Sequence, residues 1–102
     1  NITRSLVNQL KTIEEVYRND NKNLDFFTDS YKNNFNFEIG INQDVFPKYS
    51  GERKFSPMDR SLRRELKSVF GNGNYWFNTS KFKNAVEIKI RSGNEVIEFL
   101  VA

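Results

Sequence analysis

Few side chains in this 102-residue chain have the chemistry that a catalytic site needs. The sequence contains no histidine and no cysteine, so the usual general base, thiol nucleophiles and ordinary zinc ligands are all missing. Paired carboxylates are the remaining option, and the candidates are Glu14, Glu15, Glu87, Glu95 and Glu98. These glutamates fall on the outward faces of the predicted elements, where charged side chains are ordinarily solvated. The sequence therefore predicts surface charges here and no catalytic pair.

A group of basic residues is the most prominent surface feature that the sequence predicts. Its members are Arg53, Lys54, Arg60, Arg63, Arg64 and Lys67. A solvated helix face is the default interpretation, and a site for an anion or a partner protein is the alternative. The net charge of +3 and the isoelectric point near 9.3 are too modest to imply nucleic acid by themselves.

The aromatic run Tyr75-Trp76-Phe77 has two interpretations as well. It could form a platform on which nucleic-acid bases stack, beside Arg63 and Arg64. Aromatic side chains are more often buried in a core, and on that ground we favour core packing, with Trp76 filling a large space.

A helix that positions most of the basic residues is well marked in the sequence. Ser56 is a suitable N-cap, Pro57 suits the first helical position, and Asp59 could close a weak capping box. Gly71 is a suitable C-cap, so we predict a helix over residues 57–70. Its apolar face should consist of Met58, Leu62, Leu66, Val69 and Phe70.

Strand patterns follow this helix. Alternation predicts a strand over residues 86–91, a turn at Ser92-Gly93-Asn94 and a returning strand over 95–101 that is buried on much of both faces. Residues 75–77 should form a short strand or an extended segment. Earlier in the chain, residues 24–31 suggest a short helix, residues 35–42 a strand and residues 42–55 a loop.

The first nineteen residues predict an amphipathic helix. Its apolar stripe consists of Ile2, Leu6, Leu10, Ile13 and Val16 or Tyr17. We favour packing of this stripe on the chain's own sheet. The alternative is that part of it, namely Leu6, Leu10, Ile13 and Tyr17, meets the same helix of a second copy, because the spacing resembles a coiled coil.

Together these elements predict a single domain over residues 1–102 with a mixed α/β (α+β) fold. A long N-terminal helix and a second helix should pack on a small antiparallel sheet. The sequence has no run of 18 apolar residues and no signal peptide pattern. The first helix begins without a turn signal and the last strand stops within an apolar run. We therefore expect a piece taken from between two membrane spans.

Several segments resemble one family. The segments are LRREL at 62–66, YWFNT at 75–79, VEIKI at 86–90, EFLV at 98–101 and TRSLV at 3–7. They are similar to the periplasmic sensor domain of EnvZ-type osmosensing histidine kinases, and cover about half the chain. In that family the segment similar to residues 3–7 leaves the first transmembrane helix, and the final hairpin leads into the second. The family's phosphoaccepting histidine and ATP-binding motifs are absent from this sequence, so no catalytic residue is carried over.

The resemblance implies a PAS-like (PDC) sensor fold and a domain that is not itself an enzyme. It implies the periplasmic part of an inner-membrane receptor of a Gram-negative bacterium, acting as a homodimer. The parent kinase would use ATP and Mg²⁺ and signal to an OmpR-class response regulator, while this piece would need no cofactor and no metal. Nucleic acid is not an expected partner.

Two interpretations from other classes stay open. One is a small basic nucleic-acid-binding module, for which a steep salt dependence of RNA or DNA affinity would be evidence. The other is an RNase-like toxin domain, which would have to move protons with Glu, Lys or Arg.

Overall fold

The computed structural model describes residues 2–19, 37–42, 46 and 56–102, which form two helices and four strands. The elements are α1 (Ile2–Asn19), β1 (Phe37–Asn42), α2 (Pro57–Phe70), β2 (Tyr75–Phe82), β3 (Ala85–Ser92) and β4 (Glu95–Val101). The predicted α+β class is confirmed. The predicted helix at 24–31, residues 35–36 of the predicted strand and most of the 42–55 loop lie outside the described residues.

The four strands form one antiparallel sheet in the order β1-β4-β3-β2. Two-residue turns join β2 to β3 at Lys83-Asn84 and β3 to β4 at Gly93-Asn94. Gly93 has φ of 61°, which a glycine adopts without the steric cost that a side chain brings. Because β4 lies between β1 and β3, Val96 and Ile97 are buried on opposite faces, as the sequence predicted.

β2 is longer than the predicted segment 75–77. Its second half returns to the sheet, where Phe82 pairs with Ala85 after a register shift that begins at Asn78. The side-chain oxygen of Asn78 accepts hydrogen bonds from the backbone N–H of Ser80 and Lys81, at 2.8 and 3.1 Å. In the irregular stretch these bonds replace the backbone hydrogen bonds that a neighbouring strand would make. The stretch has no alternation of apolar residues, so the sequence did not predict a strand there.

α2 begins and ends where the sequence predicts. The Oγ of Ser56 accepts from the N–H of Asp59 at 3.1 Å, and the N–H of Gly71 donates to the carbonyl of Lys67 at 3.0 Å. The predicted apolar face is wrong at its first turn. Met58 is 48% exposed, whereas Asp59 is 5% exposed and its carboxylate accepts from the Oγ1 of Thr79 at 3.0 Å.

α1 and α2 run in the same direction over one face of the sheet. Thr3 bonds Ser61, and the Nε of Arg4 lies 3.4 Å from Oε1 of Glu65, so residues near the start of each helix are neighbours. The core between the helices and the sheet contains Val7, Leu10, Ile13, Tyr17, Leu62, Leu66, Phe77, Ile88, Ile90, Ile97 and Phe99. Packing of α1 on the chain's own sheet is therefore confirmed.

The predicted stripe of α1 needs one correction. Ile2 is 89% exposed and Leu6 only half-buried, while Thr3, Val7 and Glu14 are buried with Leu10, Ile13 and Tyr17. The buried positions 3, 7, 10, 14 and 17 are separated by four, three, four and three residues, which is one helix face. That face is rotated from the predicted one and includes polar residues at two of its positions.

The other face of the sheet carries alternating polar and aromatic side chains. The Nζ of Lys89 lies 5.2 Å from the ring centre of Trp76 and 3.4 Å from Oε1 of Glu98. Arg91 stacks on Phe46, with 4.5 Å between the guanidinium carbon and the ring centre. Phe77, the neighbour of Trp76, points into the core and is 6% exposed. Core packing of the aromatic run is thus right for Phe77 and wrong for Trp76.

The direction of the elements gives the molecule two ends. The first we name the terminal end; it contains the first turns of both helices, the β2–β3 turn and the last residues of β4. The second we name the far end; it contains the β3–β4 turn and the last turn of α1.

Candidate functional site

The residues of the predicted basic group do not share one environment in the structure. Arg53 and Lys54 lie outside the described residues. Arg60, Arg64 and Lys67 are exposed along α2, at positions four and three residues apart that share one solvent-facing side. Arg63 turns instead toward the sheet, where its guanidinium carbon lies 5.2 Å from the ring centre of Phe77. The exposed group is therefore three residues of one helix, while Arg63 contributes to packing.

The residues proposed to contact a second copy are mostly inside the protomer. Leu10 is 0% exposed, Ile13 is 1% exposed and Tyr17 is 4% exposed, and all three belong to the chain's own core. Leu6 is half-buried at the edge of that core. Any contact between two copies through α1 would have to use its outward side, which carries Ser5, Asn8 and Thr12.

At the far end, α1 is joined to the sheet by two carboxylates that the sequence assigned to the surface. Glu14 is 3% exposed, so that prediction was wrong for this residue. Its Oε2 accepts from the Oγ of Ser92 at 3.0 Å and lies 3.2 Å from the Nε of Arg18, while its Oε1 lies 3.2 Å from the Nζ of Lys11. These donors explain how a carboxylate is tolerated in the interior.

The second carboxylate at the far end belongs to Glu95, whose Oε2 accepts from the hydroxyl of Tyr17 at 2.9 Å. Burial raises the pKa of Tyr17 from 10.0 to about 12, and both the hydrogen bond to Glu95 and its negative charge add to that increase. The protonated phenol ties α1 to the start of β4. Both carboxylates link elements.

The terminal end holds a groove of about 570 Å³, which we name the terminal groove. Ile2 and Leu6 of α1, Met58 of α2, and Ala85 and Val101 of the sheet contribute to its walls. Its lining is largely apolar, and its volume is in the range of about 300–1,000 Å³ found for ligand sites. Its lining is more apolar than those of two other depressions, one along the outward side of α1 and one beside Phe82.

One carboxylate, that of Asp59, lines the terminal groove. Both oxygens of Asp59 are close to the Oγ1 of Thr79, at 3.0 and 3.2 Å, so a single hydroxyl connects the start of α2 to β2. Asp59 is also in the first turn of α2, where the positive end of the helix dipole stabilises a negative charge. The carboxylate thus has a structural role that needs no ligand.

Sequence analysis missed the residues that define these two ends. Glu14 could have been found from its position between Leu10 and Tyr17 on the buried face, with cations three residues before it and four after it. The terminal groove had no local signal, because it combines residues 2, 58, 85 and 101 of four separate elements.

Comparison with models of known protein families, with curated proteins and with solved structures found no match for this chain. Within the described ranges, no helix is long and apolar enough to cross a bilayer. The same residues contain no cluster of three or more potential metal ligands among Asp and Glu.

Proposed function

We propose that this chain is the extracytoplasmic sensing domain of a membrane-bound, EnvZ-like two-component histidine kinase. In this proposal the domain carries no catalysis of its own. A stimulus in the periplasm changes the arrangement of the domain, and two connections through the inner membrane pass that change to the cytoplasmic kinase. The resemblance of the segments at 3–7, 62–66, 75–79, 86–90 and 98–101 suggested the class.

The observation that carries the proposal is the position of the two outermost described elements. The first residue of α1, Ile2, lines the same groove as Val101 and Ala102 at the end of β4. A domain inserted between two membrane spans must send both connections out on the same side. An arrangement with the start of α1 and the end of β4 at opposite ends would have argued against such an insertion.

The contacts at the far end suggest how the two connections could be coupled. Tyr17 of α1 donates to Glu95 of β4, and Glu14 of α1 accepts from Ser92 of β3. A displacement of α1 along its axis would break these bonds or carry the β3–β4 turn with it. A stimulus that favours one of two such positions shifts the population, provided it binds the two with different free energy.

The proposed partners follow from the class. The parent protein would be a homodimer whose kinase uses ATP and Mg²⁺ and whose partner is an OmpR-class response regulator, whereas this domain would hold no cofactor. Because Leu10, Ile13 and Tyr17 are in the protomer's own core, we place the contact between copies on the outward side of α1. The assignment to PAS-like sensors also belongs to this proposal.

The nucleic-acid alternative has less support than the sequence gave it. The suggested stacking platform is divided, since Phe77 is in the core and the ring of Trp76 lies beneath Lys89. Arg63, proposed to lie beside that platform, stacks on Phe77. No specific contact in the described residues favours an RNase-like toxin.

The test uses the complete gene product in its native membrane. We expect it to remain in the membrane fraction after washing with high salt and to transfer phosphate to a response regulator. Single cysteines replacing Ser5, Asn8 or Thr12, introduced after replacement of any native cysteines outside these 102 residues, should form disulfides between copies, because these outward positions are on one side of α1. A complete polypeptide that fractionates free of membrane and lacks a kinase would refute the proposal.

A further inference from the structure

Large apolar side chains are exposed in one region of the described structure. Ile2 is 89% exposed, Met58 48% and Phe82 37%, and these are the large hydrophobic residues that the described part of the chain leaves exposed. Ile2 of α1 and Met58 of α2 line the terminal groove. Phe82 of β2 pairs with Ala85 beside the β2–β3 turn, so it lies at the same end, but it lines a separate depression together with Leu100. Single exposed apolar residues are common, but a grouping from three separate elements at one end of the molecule marks an interaction surface.

Two lysines lie at the same end. Phe82 is flanked in sequence by Lys81 and Lys83, and the β2–β3 turn that holds Lys83 is exposed. The Nζ of Lys81 lies 5.4 Å from the ring centre of Phe82, while it also lies 3.7 Å from Oε2 of Glu87. The positive ends of both helices face the same way, since α1 and α2 begin here. Acids lie here as well: Asp59 is 5% exposed and is held by Thr79, Glu87 pairs with Lys81, and Glu38 lines the depression beside Phe82. Lys83, in the exposed turn, is therefore the cation best placed to meet an anion.

From this combination we infer that the terminal end rests on the surface of a bilayer that contains anionic phospholipid. Apolar side chains that project beside lysines fit the boundary between headgroups and acyl chains, where the apolar tips are buried and the ammonium groups meet phosphate. A protein partner is the competing explanation. The surface favours the bilayer because its apolar residues are separate projecting tips with lysines beside them, whereas protein interfaces have a closely packed apolar centre with few lysines.

This inference deepens the proposed function and rests on it for its orientation, since a receptor domain of that class has this end next to the membrane. The contact would add a second attachment beside the two covalent connections. The N-terminal turn of α1 would then lie at headgroup level, and the lipid composition would influence the position of α1 through the side chain of Ile2.

The test uses the 102-residue chain and vesicles of two compositions, phosphatidylcholine alone and phosphatidylcholine with about one third phosphatidylglycerol. Because the chain has no cysteine, Phe82→Cys gives a single thiol for an environment-sensitive fluorophore, and Lys67→Cys near the other end of α2 gives a matched control. We expect a blue shift from the label at position 82 with the anionic vesicles and none from the label at position 67.

Charge variants measure the contribution of the lysines by vesicle co-sedimentation. Lys83→Gln should weaken binding to the anionic vesicles about fivefold, as expected for one cation near a charged bilayer, and Lys67→Gln should leave it unchanged. Added salt should reduce the binding of the unmodified chain. A label at position 82 that does not respond to vesicles up to millimolar lipid would overturn the inference, as would equal weakening by the two lysine variants. Saturable binding of the terminal end to a protein, with no response to either vesicle, would overturn it too.

The two proposals fail in different experiments. If the chain does not bind vesicles but the complete protein is embedded in the membrane and phosphorylates a regulator, only the docking surface is refuted. Binding to anionic vesicles by a chain whose complete gene product has no kinase refutes the sensor function alone.

Discussion

Removal of the Glu14 side chain should reveal how strongly α1 is attached to the sheet. Glu14 is 3% exposed and accepts from the buried Ser92, so Glu14→Ala removes a charge-assisted hydrogen bond that contributes about 1.5–3 kcal/mol. Its ion pairs with Lys11 and Arg18 contribute about 0.3–0.5 kcal/mol each, because both cations are partly exposed. The expected decrease in the free energy of unfolding is therefore about 2–4 kcal/mol.

Chemical denaturation in urea, followed by far-ultraviolet circular dichroism, measures this loss. The matched control is Glu15→Ala, since the neighbouring side chain is half exposed and lies 4.0 Å from Lys11. We expect the control to change the free energy of unfolding by less than about 0.5 kcal/mol. Glu14→Gln keeps an acceptor for Ser92 and should fall between the two.

Equal effects of Glu14→Ala and Glu15→Ala would refute this account of the far end. Such a result would mean that the Glu14 carboxylate is hydrated, and that Ser92 finds water as readily as it finds Glu14. A change in the denaturant m-value of only one variant would indicate that the unfolded or native ensemble had changed as well.

Three further predictions concern contacts described above. The pKa of Tyr17 is raised to about 12, so its contribution to stability is complete below pH 10.0 and is lost as the pH rises through 12. Between pH 10 and 12 the free energy of unfolding of the unmodified chain should fall by up to about 2–3 kcal/mol more than that of Tyr17→Phe. Equal decreases for the two proteins over this range would contradict the prediction. Arg63→Glu should destabilise the fold by about 0.5–1 kcal/mol or more, because the guanidinium stacks on an aromatic ring of β2. Arg64→Glu, at an exposed position, is the control, and equal shifts in thermal denaturation would show that the stacking contributes nothing. Thr79→Val should cost about 1–3 kcal/mol by depriving the buried Asp59 carboxylate of its hydroxyl partner. A double-mutant cycle with Asp59→Ala checks the pair, and strictly additive costs would mean that the two side chains do not interact.

The parts of the fold that the sequence predicted well have local signals. α2 was bounded correctly because Ser56, Pro57 and Gly71 each act on backbone groups within four residues of themselves. The β3–β4 hairpin was predictable because its two-residue turn fixes the register of strands whose apolar residues alternate.

The features that could not be predicted depend on contacts between distant residues. Glu14 has the local character of a surface residue, and its burial depends on Ser92, 78 residues later in the chain. Asp59 looked like a capping residue, and its carboxylate is occupied by Thr79 of β2. Met58 satisfied the apolar spacing of α2 but lies in the first turn at the terminal end, where the core has already ended. Local patterns record which residues could be buried, and tertiary contacts decide which ones are.

The position of β1 affects the order in which the protein can assemble as it is made. Residues 37–42 are paired with residues 96–101, whereas β2, β3 and β4 are joined by tight hairpins. During synthesis the β2–β3 hairpin can form within a few residues of its turn. β1 must wait until the ribosome has added more than fifty further residues, and closing so long a loop is slow. Through that interval the Phe37–Asn42 segment is an unpaired strand with several apolar side chains, and this is the stage at which we expect the nascent chain to depend most on chaperones.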